Sequence, residues 1–143
     1  MKSLYTLNIT PNEQETDAEV VSRISESLED IGQDQEWPPK LVYLVNLSVE
    51  EFGLNALTHG RKHGLDEFEI TISSDSELIT IELSDNGAAF DPMNDAPEPD
   101  FETPLESRPI GGLGIYLIKK MVDAMEYRRD YDRNYLRLTV RRT

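Results

Sequence analysis

Apolar and polar positions change period several times along the chain, and each change predicts an element. Residues 3 to 9 alternate around Leu4, Leu7 and Ile9 and run into "TPNEQETD", which predicts a short strand ending in a turn. Between residues 12 and 31, Val20, Ile24, Leu28 and Ile31 recur at spacings of three and four, the pattern of a helix with one buried stripe, and Gly32 is the expected stop. "QDQEWPP" reads as a turn, with Pro39 at the first position of a second helix that runs to about residue 59 and ends at Gly60. That helix is apolar on most sides, so its expected place is against a sheet. "FEITIS" and "LITIELSD" are β-branched, alternate with period two and flank "SDSE", a hairpin pattern. A helix is expected over 112–125, with Leu113, Leu117, Ile118, Met121, Val122 and Met125 as core. "YRRDYDRNYLRLTVRR" follows as two strands around an Asp-Arg-Asn turn. The order β-α-α-β-β-α-β-β favours an α+β two-layer sandwich over a doubly wound sheet.

Length and charge narrow the picture. A chain of 143 residues fits one domain, 1–143, with a core of ordinary size. With 28 acidic and 14 basic side chains the formal charge is −14, which argues against direct binding of nucleic acid or an anionic membrane through the overall field. The charge is unevenly placed. Residues 64 to 107 hold thirteen Asp or Glu and no Lys or Arg, whereas 108 to 143 hold nine basic and four acidic residues. A bound phosphate is therefore expected to lean on the C-terminal third or on a metal ion. The absence of cysteine excludes disulfides, thiol nucleophiles and zinc–thiolate sites, and two histidines cannot build a histidine metal cluster. No apolar leader opens the chain and no apolar run nears the ~20 residues of a membrane span, so the expectation is a cytoplasmic protein.

Three places can carry chemistry. In the second helix, Ser48, Glu51, Asn55 and Thr58 or His59 share a face, which either meets solvent or lines a cavity. In a cavity, Glu51 can polarise a nucleophile and Asn55 can offer its oxygen to Mg²⁺, a hard ion that takes oxygen ligands. At the end of "LITIELSD", Asp85 continues the apolar phase of Ile79, Ile81 and Leu83. It is then either a turn aspartate of Asp-Asn-Gly or an inward carboxylate that accepts a hydrogen bond from a flat ligand such as an adenine amino group. In "RPIGGLGIYLIKKMVD", Gly111, Gly112 and Gly114 open a helix, at a cost of roughly 1 kcal/mol each relative to alanine. They make either a closely packed hinge or a helix N-terminus open to an anion, with Arg108 just outside. The segment before it, residues 91 to 109, has five prolines and reads as a linker or a ligand lid.

Taken together, "EEFGLNALTHG", "DNGAAFDP" and "RPIGGLGIYLIKKMVD" resemble the N, G1 and G2 boxes of the GHKL ATPase superfamily. The match looks most like the anti-sigma factor serine kinases of bacterial partner switching, the RsbW and SpoIIAB type, over roughly residues 15 to 142. The resemblance implies a Bergerat fold, with helices on one face of a mixed, mostly antiparallel sheet. By position it implies Glu51 as catalytic base, Asn55 as Mg²⁺ ligand, Asp85 as acceptor for the adenine amino group, and Gly87 as the space for the ring. It further implies a lid over 91–110 and phosphate contacts from Gly112 and Gly114, with Arg108 in place of the basic residue that family members often carry beside the G2 glycines.

The implied activity is Mg-ATP-dependent phosphorylation of a serine or threonine on a STAS-type anti-sigma factor antagonist, coupled to holding a sigma factor, by a homodimer. An alternative is a nucleotide-dependent interaction module that sequesters its partner without phosphorylating it. The catalytic piece of a sensor histidine kinase is a third reading, which lacks a helical segment with a phosphoacceptor histidine.

Overall fold

The computed structural model describes residues 3–10, 14–60, 64–65, 67–89, 91 and 113–142, without the side chains of His59 and Leu113. The elements follow the order expected: β1 (Ser3–Ile9), α1 (Asp17–Asp34), α2 (Pro39–Gly60), β2 (Phe68–Ser74), β3 (Leu78–Asp85), α3 (Leu113–Met121), β4 (Ala124–Asp130) and β5 (Arg133–Arg141).

Helix α1 starts later than the periodicity alone suggests because a capping box selects Thr16. Its Oγ1 accepts from the Glu19 backbone N–H at 3.1 Å, and the Glu19 carboxylate accepts from the Thr16 N–H. The helix also runs past Gly32 instead of stopping there. Its end is a Schellman motif in which Glu36 N–H donates to Gln33 O and Trp37 N–H to Gly32 O, and Glu36 takes the left-handed turn at φ 53°. Trp37 thereby lands buried beside Gly32, where a side chain on residue 32 would press on the indole.

The five strands form one sheet in the order β1-β2-β3-β5-β4, and all four pairings are antiparallel. Ile70, Ile72, Ile79, Ile81 and Leu138 on one face are fully buried against the helical layer, which brings Ile24, Leu28, Leu44, Leu57 and Ile118. The opposite face carries polar partners such as Glu82, which accepts from Arg137 at 3.1 Å. This is the α+β two-layer class expected. In β1 the inward set is Tyr5, Leu7 and Ile9, and Leu4 points outward at 67% exposure, because an odd-numbered set keeps the pleat in phase with β2.

The C-terminal third departs from its helical periodicity. Helix α3 ends at Met121, and Ala124 and Met125 belong to β4, paired with Thr139 and Leu138 of β5. Met125 still packs on the core, but from a strand, and Leu117 is 39% exposed. Strand pairing outcompetes one more helical turn here, since a short helix gains little from its own hydrogen bonds. The β4–β5 turn centres on Tyr131 and Asp132, both at positive φ (48° and 61°), one step before the Asp-Arg-Asn triplet. Among the described residues no helix is long and apolar enough to cross a membrane.

Candidate functional site

The site is built from strands β2 to β5 and from helices α2 and α3. Asp85 closes β3 on the apolar phase and lies 7% exposed, between Phe68 of β2 and Asn134 of β5 in register. Its Oδ1 accepts two hydrogen bonds, from Gly87 N–H at 2.9 Å and Asn134 Nδ2 at 3.0 Å. Asn134 Nδ2 also donates to Ala88 O at 2.8 Å, and the Tyr127 hydroxyl donates to Asn134 Oδ1 at 2.5 Å. Arg129 Nη1 donates to Gly87 O at 2.7 Å. The β4–β5 hairpin thus holds the Asp-Asn-Gly turn from two sides, and the turn aspartate is also the inward one. Burial raises the pKa of Asp85 above its ordinary value. The Asn134 and Gly87 hydrogen bonds, then the charges of Arg129 and Arg133, pull it part of the way back.

Asp85 faces a small, partly open cavity. Phe52, Ala56, Phe68, Leu83 and Leu136 make its walls apolar, and Asn55, Asp85 and Asn134 are its polar groups, with Tyr127 on one wall. This combination of apolar walls and a few convergent polar atoms is what a flat organic ligand needs. Gly87 packs the turn that carries Asp85 against the end of α2. A Cβ there would sit 2.9 Å from the Gly60 Cα and 3.0 Å from Asp85 Oδ1, so only glycine lets the turn meet the end of α2. Gly87→Ala is expected to lower stability by about 1–3 kcal/mol, because backbone on the far side cannot retreat as a side chain would. A denaturant midpoint equal to wild type would show that α2 and the turn are not held this close.

Helix α2 carries two of its polar face to the same region. Asn55 lines the cavity, and Glu51, one turn earlier, is half-buried where α2 meets α3. The Glu51 carboxyl lies against Gly114, so closely that a Cβ on residue 114 would overlap it. Burial first, and the neighbouring Glu50 carboxylate second, raise the Glu51 pKa above its ordinary value. The other residues of that face go elsewhere. Ser48 is fully buried and donates to Leu44 O at 2.7 Å, and Thr58 donates to Asp17 of α1 at 3.3 Å. Spacings of three and four drift around a helix of 3.6 residues per turn, so one face becomes core at one end and helix contact at the other.

Of the residues singled out from sequence, Glu51, Asn55, Asp85, Gly87 and Gly114 are brought together. Arg108, Gly111 and Gly112 lie outside the described residues, as does the expected lid apart from Asp91. Asn134, Tyr127 and Arg129 escaped the sequence argument. The signal for Asn134 was present: in "NYLRLTV" it shares the phase of Leu136, Leu138 and Val140, a polar residue in an apolar register like Asp85.

For a metal ion, no group of three or more His, Cys, Asp or Glu assembles among the described residues. A carboxamide oxygen at Asn55 beside the cavity suits Mg²⁺, which keeps several waters and draws further ligands from phosphate.

The histidine kinase-like ATPase domain matches residues 15–140. The serine/threonine-protein kinase BtrW of Bordetella bronchiseptica is 28% identical over 113 residues, covering 78% of this chain and 79% of that protein. Serine-protein kinases RsbW of Bacillus cereus and Bacillus thuringiensis are 28% identical over 89 residues, 60% of this chain. Against these Bacillus proteins the chain spans just over half of the relative's length, 56%.

Proposed function

Because the chain belongs to the histidine kinase-like ATPase family, we propose that it is a Mg-ATP-dependent serine/threonine protein kinase. In this reading the family domain occupies the whole chain, 1–143. The single observation that carries it is the continuity of the site along α2. A buried acceptor in an apolar cavity lies at one end, and a half-buried carboxylate packed against a glycine of α3 lies one turn beyond Asn55.

Each residue then has a physical task. Asp85 accepts a hydrogen bond from the adenine amino group, and the apolar walls take the ring. In this reading Gly87 leaves room for the ring by letting the turn that carries Asp85 close against the end of α2. The first turn of α3, with Gly114, offers backbone N–H groups and the positive end of the helix to phosphate. Gly112 and Arg108 extend that contact in this reading, under a lid formed by 91–110. Asn55 holds Mg²⁺ through its side-chain oxygen, and the ion neutralises charge on the triphosphate. Glu51 accepts the proton of the attacking hydroxyl, and a carboxylate with a raised pKa is a stronger base for that transfer.

The relatives' names support a protein substrate with a serine or threonine acceptor. The partner proposed is a STAS-type anti-sigma factor antagonist, with a sigma factor held in alternation, in the cytoplasm. A homodimer is part of the reading. Edge strand β1 carries no charged residue from Ser3 to Ile9, whereas the other edge, β4, carries Glu126, Arg128, Arg129 and Asp130. An uncharged edge can pair with its own copy without like-charge repulsion in a chain of −14. A solution mass of one chain at micromolar concentration removes that part alone.

The test of the activity is incubation with Mg-ATP and a candidate antagonist, read by mass spectrometry of the antagonist. One phosphate on a single serine or threonine is the expected result. A nucleotide-dependent complex without phosphate on the partner would replace the kinase with the interaction module.

A further inference from the structure

The hydrogen bonds behind Asp85 form a directed chain that reaches the cavity wall. The Tyr127 hydroxyl donates to Asn134 Oδ1, which fixes the orientation of the carboxamide. The two hydrogens of Asn134 Nδ2 then go to Asp85 Oδ1 and Ala88 O. Gly87 N–H gives Oδ1 its second bond. Asn134 Nδ2 and Gly87 N–H are both aimed at Oδ1, and Asp85 Oδ2 has no hydrogen-bond partner among the described residues. Tyr127, Asn134 and Asp85 all line the same cavity.

We propose that Tyr127 and Asn134 are positioning residues that lock the Asp85 carboxylate with Oδ2 toward the nucleobase, and that this lock is what selects a 6-amino purine over a 6-oxo purine. The inference rests on the nucleotide reading above. An acceptor discriminates between an amino group and a carbonyl only while it cannot turn away. A pinned carboxylate meets a 6-oxo group oxygen against oxygen, whereas a freely rotating one relieves the contact at little cost. Asn134 Nδ2 has both hydrogens engaged, so it offers no competing donor to a carbonyl. The lock also favours the charged carboxylate: burial pushes the Asp85 pKa up, and the Asn134 bond is the largest influence pulling it back.

Strand register explains why these residues can act together. Asn134 is the β5 partner of Asp85, and Tyr127 is the β4 partner of Leu136, one inward position further along β5. All three side chains therefore rise from the same face of neighbouring strands. The lock rises from the sheet and Glu51 and Asn55 from α2 across the same cavity, so each set can be altered without replacing the other.

The experiment is calorimetric titration of Mg-ADP and Mg-IDP into wild type, Tyr127→Phe and Asn134→Ala, with melting temperatures measured in parallel. Wild type is expected to prefer ADP by about 100-fold or more, since a site built around one hydrogen-bonding group rejects its opposite. Tyr127→Phe removes one oxygen atom and keeps the ring. It is expected to stay folded and to narrow the ADP-to-IDP ratio by about tenfold, chiefly by admitting IDP. Asn134→Ala is expected to narrow it further. If both variants are folded and keep the wild-type ratio, or lose ADP and IDP affinity equally, the lock has no role in selection and the proposal falls, with the nucleotide reading intact. If wild type binds neither nucleotide, both fall together.

Discussion

Asp85→Asn is expected to remove nucleotide binding while leaving the protein at least as stable as wild type at neutral pH. Asparagine keeps an Oδ1 that can accept from Gly87 N–H and Asn134 Nδ2, so the turn retains its fastening. It replaces the cavity-facing oxygen with an amide nitrogen, a donor set against the donor of an adenine amino group. Losing a hydrogen bond to a charged group and gaining a donor–donor contact lowers affinity by about 100-fold or more. Stability moves the other way. The folded-state pKa of Asp85 is raised above its ordinary 3.8. The native state therefore binds more protons than the unfolded chain between the two values, and this group's contribution to stability falls as pH rises through that window. The neutral asparagine does not bear that loss. Relative to wild type, the melting temperature of Asp85→Asn should rise between acid and neutral pH, and titration with Mg-ATP should give no saturable heat. A variant that binds Mg-ATP like wild type would end the assignment of Asp85 to the base.

Glu51→Gln is expected to lower phosphoryl transfer by about 10²–10⁴-fold, the usual worth of a general base, with Mg-ADP affinity nearly unchanged. Glutamine is chosen because the carboxyl packs against Gly114, and a truncation would leave a gap between α2 and α3. The pH profile carries the sign of the assignment. A base must be ionised to act, and burial together with Glu50 raises the Glu51 pKa above 4.5. The wild-type rate should therefore fall as pH drops through that raised pKa, on an acid limb lying above the ordinary carboxylate range. The residual rate of Glu51→Gln should lack that limb. Full activity in the variant, or a limb that survives the substitution, would move the base elsewhere.

Both predictions use residues that a linear reading could find. Asp85 stands out because a carboxylate in step with Ile79, Ile81 and Leu83 is either a turn aspartate of Asp-Asn-Gly or an inward charge, and burial demands donors. Glu51 and Asn55 stood out as polar positions one turn apart on an otherwise apolar helix. The donors that complete the site did not stand out in the same way. Asn134 lies 49 residues beyond Asp85, and Tyr127 seven residues before Asn134, at separations no local pattern links. The period of 3.6 through "LIKKMVDAMEY" also pointed to a longer helix, and only the pairing of Ala124 and Met125 with β5 shortened it.

Sequence by itself determined the element order, the two-layer class, the inward phase of Asp85 and the helical spacing of Glu51 and Asn55. These follow from local periods of two and 3.6, which the backbone imposes on any chain. Tertiary structure decided that Asp85 meets Asn134, that Gly87 must clear Gly60, and that Glu51 rests against Gly114. Those contacts depend on strand register and on the approach of one helix to another. Both are set by the packing of the whole core, and no short stretch of sequence carries them.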